Sequence, residues 1–364
     1  RARRAYPRRV GERAGGRVLV CGLATLDVVQ TVERVPTANE KVVAAGLAVA
    51  AGGPAANAAV TCAALGVSAR LVTRIGGGAL GGVVREDLAR AGVEVVDLAA
   101  PGASPPVSTV LVTRATGERA VVSVNATGVA GSAPHPVEVP AEVWDGVGLV
   151  LVDGHHLDLG VEVAAEARRR GVPVLLDGGS WKPGLEALLA RVDVAVVSAD
   201  FAVPDGVAGG GDVTGPDGVA GGGDVTGPGG GTRPALGDAL DAVLRLGPSV
   251  GARSAGGGPI DVAVGDGRAS VRVPAVPVVD TLGAGDVLHG ALAAWLATRR
   301  SADGAPGGQL DEVVTALAWA AGVASASCAA AGARGWAADD GLVQRLRTEL
   351  RAELGAEPGA ELGA

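Results

Sequence analysis

The chain has no methionine, one phenylalanine, one tyrosine and three cysteines, and each shortage excludes something. Cys21, Cys62 and Cys328 lie far apart in apolar or small-residue surroundings, which suits neither a disulfide framework nor a zinc site. They read as buried thiols of a protein working in a reducing cytoplasm. No apolar run of about eighteen residues free of Gly, Pro and charge occurs, so no membrane span is expected. Lys41 and Lys182 are the only lysines, and the arginines belong to a general Ala, Gly, Val and Arg bias. The net charge of −8 argues against a polyanion-binding surface, so nucleic acid is not an expected partner. Residues 1–9 are strongly basic but lack the apolar stretch of a signal peptide, and residues 1–16 are taken as a disordered basic tail.

A length of 364 residues is enough for one large α/β domain or two small ones. Residues 17–23 form a short apolar run ending near Gly22, the mark of a buried strand in a parallel sheet. Strand and helix patterns then alternate through residues 70–90 and, after a break, through 147–197, which predicts a parallel sheet covered by helices. Two β-rich stretches interrupt the alternation. They lie at about 27–50 and 105–125, the second split by the turn Thr116-Gly117-Glu118, and together they predict a small β lid. Pro204 to Gly215 repeats without change as Pro216 to Gly227, and the region 202–233 has too few large apolar residues to order itself. Helices are expected at 236–246, from Asp286 to about 300, at 310–330 and at 341–353, with a hairpin at 260–273.

Two glycine-rich stretches carry the chemistry. The first is Gly52-Gly53-Pro54-Ala55-Ala56-Asn57, where the Gly pair permits a tight turn and Pro54 suits the first turn of a helix. Asn57 would then project toward a ligand crevice or satisfy local backbone. The second is Asp280-Thr281-Leu282-Gly283-Ala284-Gly285-Asp286 running into an apolar helix. Small residues at a helix start crowd N–H donors together and favour an anion. A carboxylate inside that turn would repel a merely bound anion, whereas a general base for an attacking hydroxyl belongs there; capping of the helix is the other reading of Asp286. Asp27, beyond the first strand, could hold substrate hydroxyls at the sheet's carboxyl edge or serve as a turn residue. His155 and His156 follow a strand without further ligands at metal spacing, and Asp177 to Lys182 form another strand-end cluster. A P-loop, the protein-kinase motifs and a Rossmann fingerprint after the first strand are all missing.

Together the two stretches resemble the paired signatures of the PfkB (ribokinase-like) carbohydrate kinases, and the resemblance covers residues 17–341, leaving 342–364 as a helix and tail. It implies a three-layer α/β/α sandwich with a mostly parallel central sheet and a β lid, and ATP-dependent phosphorylation of a sugar or nucleoside hydroxyl. Carried over, Asp286 is the catalytic base, and backbone N–H groups of Gly283, Ala284 and Gly285 form the anion hole. Asp27, Gly52, Gly53 and Asn57 bind the sugar. Thr281, Ser254, Gly256 and Asp200 contact the nucleotide, and Mg2+ reaches the phosphates through water and ATP oxygens, with no protein ligand assigned. The chain departs from the pattern at Ser198-Ala199-Asp200-Phe201, where Asp200 stands in for an Asn-x-x-Glu motif. It departs also at Ser254-Ala255-Gly256-Gly257-Gly258-Pro259, where Pro replaces the last Gly of the nucleotide loop, and at Gly78, where Asp is common. The run 320–328 followed by Gly335-Trp336 is similar to the ketohexokinase and sulfofructose kinase branch, which favours a ketose. The scarcity of aromatics to stack on a base favours a sugar over a nucleoside. A sugar- or nucleotide-binding regulator remains the reading from another class. The resemblance also implies a homodimer formed through the lid.

Overall fold

A computed structural model describes residues 16–124, 138–204, 206–207, 236–299 and 310–353. The expected basic tail up to residue 15, most of the duplicated glycine-rich stretch and the residues from 354 onward lie outside the described residues.

Nine strands form the main sheet, in the order β13-β12-β11-β10-β9-β8-β1-β4-β5. They are β1 (Arg17–Cys21), β4 (Ala69–Thr73), β5 (Val93–Asp97), β8 (Val147–Val152), β9 (Val174–Gly178), β10 (Val194–Val197), β11 (Val250–Ala255), β12 (Gly258–Val264) and β13 (Gly267–Val271). Pairing is parallel from β5 through β11 and antiparallel only at β12 and β13. Continuous apolar runs such as Val-Leu-Val-Cys in β1 suit this interior, because each face of a central strand meets a layer of helices. The two faces can be read residue by residue. Val18 and Val20 of β1 enter one core, which is built with α1 (Pro54–Ala64), α2 (Gly78–Arg90), α6 (Ala284–Thr298), α7 (Leu310–Ser327) and α8 (Asp340–Glu353). Leu19 and Cys21 enter the other, built with α3 (Leu157–Arg170), α4 (Leu185–Leu189) and Val243 of α5 (Leu236–Arg245). The result is the expected three-layer sandwich. Beyond residue 341, α8 sends Leu346 and Leu350 into the same core as α1 and α6.

A second sheet has the order β3-β2-β6-β7, from β2 (Thr25–Val32), β3 (Gly46–Gly52), β6 (Val107–Thr113) and β7 (Arg119–Ser123). It is two antiparallel hairpins joined by a parallel β2–β6 pair. Strand β3 begins only at Gly46; before it, Glu40 closes a turn by accepting from Thr37 N (3.1 Å) and pairing with Arg34. Strand β9 starts two residues later than its hydropathy suggests. Helix α3 ends at a left-handed Gly171, and Pro173 follows with no N–H to donate, so only its carbonyl reaches β8, accepting from Val150 N (2.9 Å), before the strand proper starts at Val174.

The stretch Ser254–Pro259 is not the glycine-rich loop expected from its composition. Residues 250–255 form β11, paired in parallel with β10, and Gly256-Gly257 is the tight turn of a hairpin in which Ala255 pairs with Gly258. Val-Gly-Ala-Arg has little β-branched character, and it is the neighbouring strand β10 that makes it extend. Pro259 is exposed in β12 beside a register shift, one of the positions a sheet allows for proline.

Candidate active site

Helices α1 and α6 begin beside each other at the carboxyl edge of the main sheet, and their closeness is a matter of small residues. A Cβ built on Gly290 of α6 would lie 2.6 Å from the Ala58 carbonyl oxygen and 2.7 Å from Thr61 Cβ. Only glycine lets the two helices meet there. The Cys62 thiol adds a bond to the Gly290 carbonyl (3.2 Å).

The start of α1 is fixed from two sides. Gly53 has φ 95°, and a Cβ on it would fall 2.5 Å from the Leu23 carbonyl oxygen. Asp153, at the end of β8, is buried and accepts from Leu23 N (2.8 Å), Ala55 N (3.1 Å) and His155 N (2.8 Å). One carboxylate thus joins the end of β1 to the first turn of α1, where a negative charge complements the helix dipole. Asp27 lies on β2 and accepts from the Thr25 hydroxyl (2.6 Å). A Cβ on Gly52 would sit 1.9 Å from Asp27 Oδ2, so Asp27 rests directly on that glycine.

The start of α6 faces this cluster. Gly283 is the N-cap, with φ 75°, and packs against Ala333; Gly285 is exposed, with open space around the position a side chain would take. The space beside Gly285 leaves this helix start accessible to an anion, although Ala284 N already donates to the Thr281 carbonyl (3.3 Å). Asp286, in the first turn, accepts from Asn57 Nδ2 (2.7 Å). Asp286 and Asn57, one from each signature, therefore touch. Burial and the nearby Asp177 push the Asp286 carboxyl up to about 7, against the Asn57 hydrogen bond and His289, which favour its charged form.

Several residues of this site went unassigned in the sequence. Burial holds Asp177, at the end of β9, above the usual carboxylate range, opposed most by His289. His289, one turn along α6 from Asp286, is buried with Nδ1 2.7 Å from the Gly285 carbonyl oxygen and 3.3 Å from Asp177 Oδ2, and Nε2 3.1 Å from the Val196 carbonyl oxygen. It stitches α6 to β9 and β10 below Asp286. Arg334, between α7 and α8, donates to Asn57 Oδ1 (2.9 Å), Asp87 Oδ2 (2.9 Å) and the Ala51 carbonyl. Asp153 and Asp177 carried the same strand-end signal as Asp27; Arg334 carried none.

The expected nucleotide residues stand along the same edge. Ser254 lies one residue before the end of β11 with its hydroxyl turned to the Val197 carbonyl (3.4 Å), Asp200 lies exposed in the turn after β10, and Thr281 is exposed before α6. Gly256 is the left-handed turn residue of the β11–β12 hairpin, with φ 58°. His156 has φ 48° and is buried, which drives its pKa down to about 4; its Nε2 has no partner. Among the described residues no group of three or more His, Cys, Asp or Glu could hold a metal ion, and no helix is long and apolar enough to cross a membrane.

A profile described as pfkB family carbohydrate kinase matches residues 16–202, and the chain belongs to that family. The matched stretch includes Asp27, Gly52, Gly53, Asn57 and Asp200 and stops before α6. A ribokinase from Arabidopsis thaliana is 27% identical over 181 residues, 49% of this chain and 48% of the relative, so the match spans about half the relative's length. Solved structures share the fold over most of the chain. A ribokinase of Arabidopsis thaliana complexed with ribose and ATP has a TM-score of 0.67 at 22% identity, covering 92% of this chain and 99% of its own. A ribokinase of Giardia lamblia gives 0.70 at 17% identity, with 92% and 99% covered. A fructokinase of Xylella fastidiosa with bound ATP gives 0.63 at 16%, with 91% and 98% covered. The fold is ribokinase-like: a large, mostly parallel sheet with helices on both faces and a smaller sheet beside it.

Proposed function

We propose that the protein transfers the γ-phosphoryl group of ATP to a hydroxyl of a small carbohydrate, a ketose or ketose derivative, with Asp286 as general base. The observation that carries this reading is the 2.7 Å contact between Asn57 and Asp286 at the open N-terminus of α6. It sets a base, a hydroxyl-binding amide and an anion-favouring helix start within one crevice. Asp27, Gly52, Gly53 and Asn57 hold the sugar so that its reacting hydroxyl meets Asp286, which takes the proton as the oxygen attacks. N–H groups of Gly283, Ala284 and Gly285 stabilise the charge that develops on the transferring group, where a preorganised donor acts most strongly. Thr281, Ser254, Gly256 and Asp200 contact the nucleotide along the carboxyl edge. Mg2+ would reach the phosphates through ATP oxygens and water and would neutralise phosphate charge there. The ligands of the related ribokinase and fructokinase structures, ribose with ATP and ATP, support the substrate classes. The similarity of residues 320–336 to the ketohexokinase and sulfofructose kinase branch supports a ketose.

The small sheet is the lid over this crevice and the contact between two protomers. Its register places Leu47 and Val49 of β3, Val28 of β2, Leu111 of β6 and Val122 of β7 on one face. Leu47 is 68% exposed and Val122 75%, and apolar surface of this kind marks an interface. Leu47→Glu with Val122→Glu should convert a dimer to a monomer in sedimentation; an unchanged sedimentation coefficient removes the lid as the interface. The three free, buried cysteines support a cytoplasmic setting, with burial pushing the Cys62 thiol up to about 12.

The deciding test is turnover of ATP with ketoses, aldoses, sulfosugars and nucleosides by the wild type and Asp286→Asn. The substitution should cost about 10²–10⁴-fold in kcat, the usual worth of a general base. Turnover that survives it refutes the assignment of the base. A nucleoside as the only accepted substrate moves the protein to the nucleoside kinases of the same family, and sugar binding without turnover makes it a regulator.

A further inference from the structure

The segment carrying Arg334 is built onto the second signature. Asp280 accepts from Leu282 N (2.9 Å) through one carboxylate oxygen and from Gly332 N (2.9 Å) through the other. The Cys328 carbonyl accepts from Val279 N (2.8 Å) and Asp280 N (3.1 Å), and Gly283 lies against Ala333. Arg334 therefore has its root on the stretch that leads into Asp286 and its guanidinium among the residues of the first signature.

The guanidinium fixes something that an isolated amide leaves open. Asn57 is buried, and its two ends differ: Oδ1 accepts from Arg334 Nε and Nδ2 donates to Asp286. A flipped amide would set N–H against a cation and oxygen against a carboxylate, so Arg334 and Asp286 together specify one orientation. Arg334 is itself held by Asp87 and the Ala51 carbonyl, while Ala51 N donates to the same Asp87 oxygen (2.9 Å). Its fork is engaged by protein acceptors in three directions, which is the geometry of a clamp.

We propose that Arg334 is a positioning residue for phosphoryl transfer: it orients the Asn57 amide so that Nδ2 stays on Asp286, keeping the base ionised and aimed at the sugar hydroxyl. This rests on Asp286 being the base. The charged and titratable groups around the pair are Asp177 at the end of β9, Asp153 at the end of β8 and His289 on α6 beside Asp286, with Asp87 of α2 and Asp27 of β2 beside Arg334. With Arg334 replaced, Asn57 is free to rotate and Asp286 loses both a donor and a nearby positive charge, so its proton is held more tightly.

The experiment is a double-mutant cycle in the full chain with Arg334→Met, Asn57→Ala and both together, reading kcat and KM from pH 5.5 to 9, with Arg334→Lys and Asp286→Asn alongside. Arg334→Met should lower kcat about tenfold, a coupling of ordinary size for neighbouring groups. KM for ATP should hold, and the acid limb of kcat/KM should move to higher pH. In the Asn57→Ala background the same change should cost less than about twofold, because the group it orients is gone. Arg334→Lys, which keeps charge without the fork, should fall between, and it carries the test if Arg334→Met does not fold. Additive losses with an unmoved acid limb overturn the proposal. So does a loss confined to KM for sulfonated or phosphorylated sugars, which would make Arg334 a substrate-anion contact. Full activity of Asp286→Asn would instead sink the reading of the base, while non-additivity between Arg334 and Asn57 would still report their coupling.

Discussion

Adding one methyl group at Gly290 tests how the site is assembled. The methyl of Gly290→Ala would lie 2.6 Å from the Ala58 carbonyl oxygen, about 0.8 Å inside the 3.4 Å where ordinary contact begins. Thr61 Cβ at 2.7 Å and Ala58 Cα at 3.0 Å close the ways round it. Backbone cannot swing aside as a side chain does, so α1 and α6 must separate. Overpacking of this kind costs about 1–3 kcal/mol. Catalysis should suffer out of proportion, because Ala58 adjoins Asn57 and Gly290 lies one turn from Asp286, and the shift is delivered to their 2.7 Å contact. A misplacement near 1 Å costs roughly 100-fold, so a fall in kcat of about 10- to 100-fold is expected. Phosphorylation can be followed by coupled ADP release and stability by chemical denaturation. Gly322→Ala is the control: that glycine lies inside α7 with open space at its Cβ, and the change should stabilise by up to about 1 kcal/mol without touching turnover. If Gly290→Ala keeps kcat within about twofold and loses no stability, the close approach of the two helices does not hold and the argument fails.

The raised pKa of Asp286 has two consequences. In the proposed role of base it must be ionised, so kcat/KM should fall below pH about 7 along a limb that Asp286→Asn abolishes. For stability, its folded pKa of about 7 exceeds the ordinary 3.8, so the folded state holds a proton that the unfolded chain has lost between those values. Its contribution is fully present at low pH, declines as pH rises through that window and is gone above it. Asp286→Asn should therefore raise Tm relative to wild type more at pH 8 than at pH 5, and an equal difference at both would show that the charge is not held against burial. Asp153→Ala removes the acceptor of three backbone N–H groups. It should cost about 3 kcal/mol, given about 1.5–3 for each charge-assisted bond offset by water entering the gap, and a change under about 0.5 in denaturation would discount its role as a clamp.

Much of the site could be read from residues whose backbone does something unusual. Gly52-Gly53-Pro54 and Gly283-Ala284-Gly285 announce themselves because tight approaches and helix starts admit few residue types, and φ 95° at Gly53 and 75° at Gly283 are the physical reasons. Strand ends were legible in the same way, although Asp153 and Asp177 were left without a role. Arg334 was not legible: an arginine in an Ala/Gly stretch gains meaning only when the chain returns to α1. The same non-locality hid the parallel β2–β6 pair, whose strands look like ordinary hairpin members, and β11, which extends because β10 is beside it. Composition named Ser254–Pro259 a loop, and pairing made it a turn.

The clamp of Asn57 has a kinetic side. Its bonds to Asp286 and Arg334, and the bond from Arg334 to Ala51, close loops of 229, 277 and 283 residues. Closure entropy grows only with the logarithm of length, so such contacts are affordable once sheet and helices are in place, yet nothing local can nucleate them. The contacts of the crevice therefore depend on the sheet and both helix starts being in place. Until Arg334 docks, Asn57 Oδ1 lacks the donor that matches it, so the joined contact of Asp286, Asn57 and Arg334 reports that distant parts of the chain have come together.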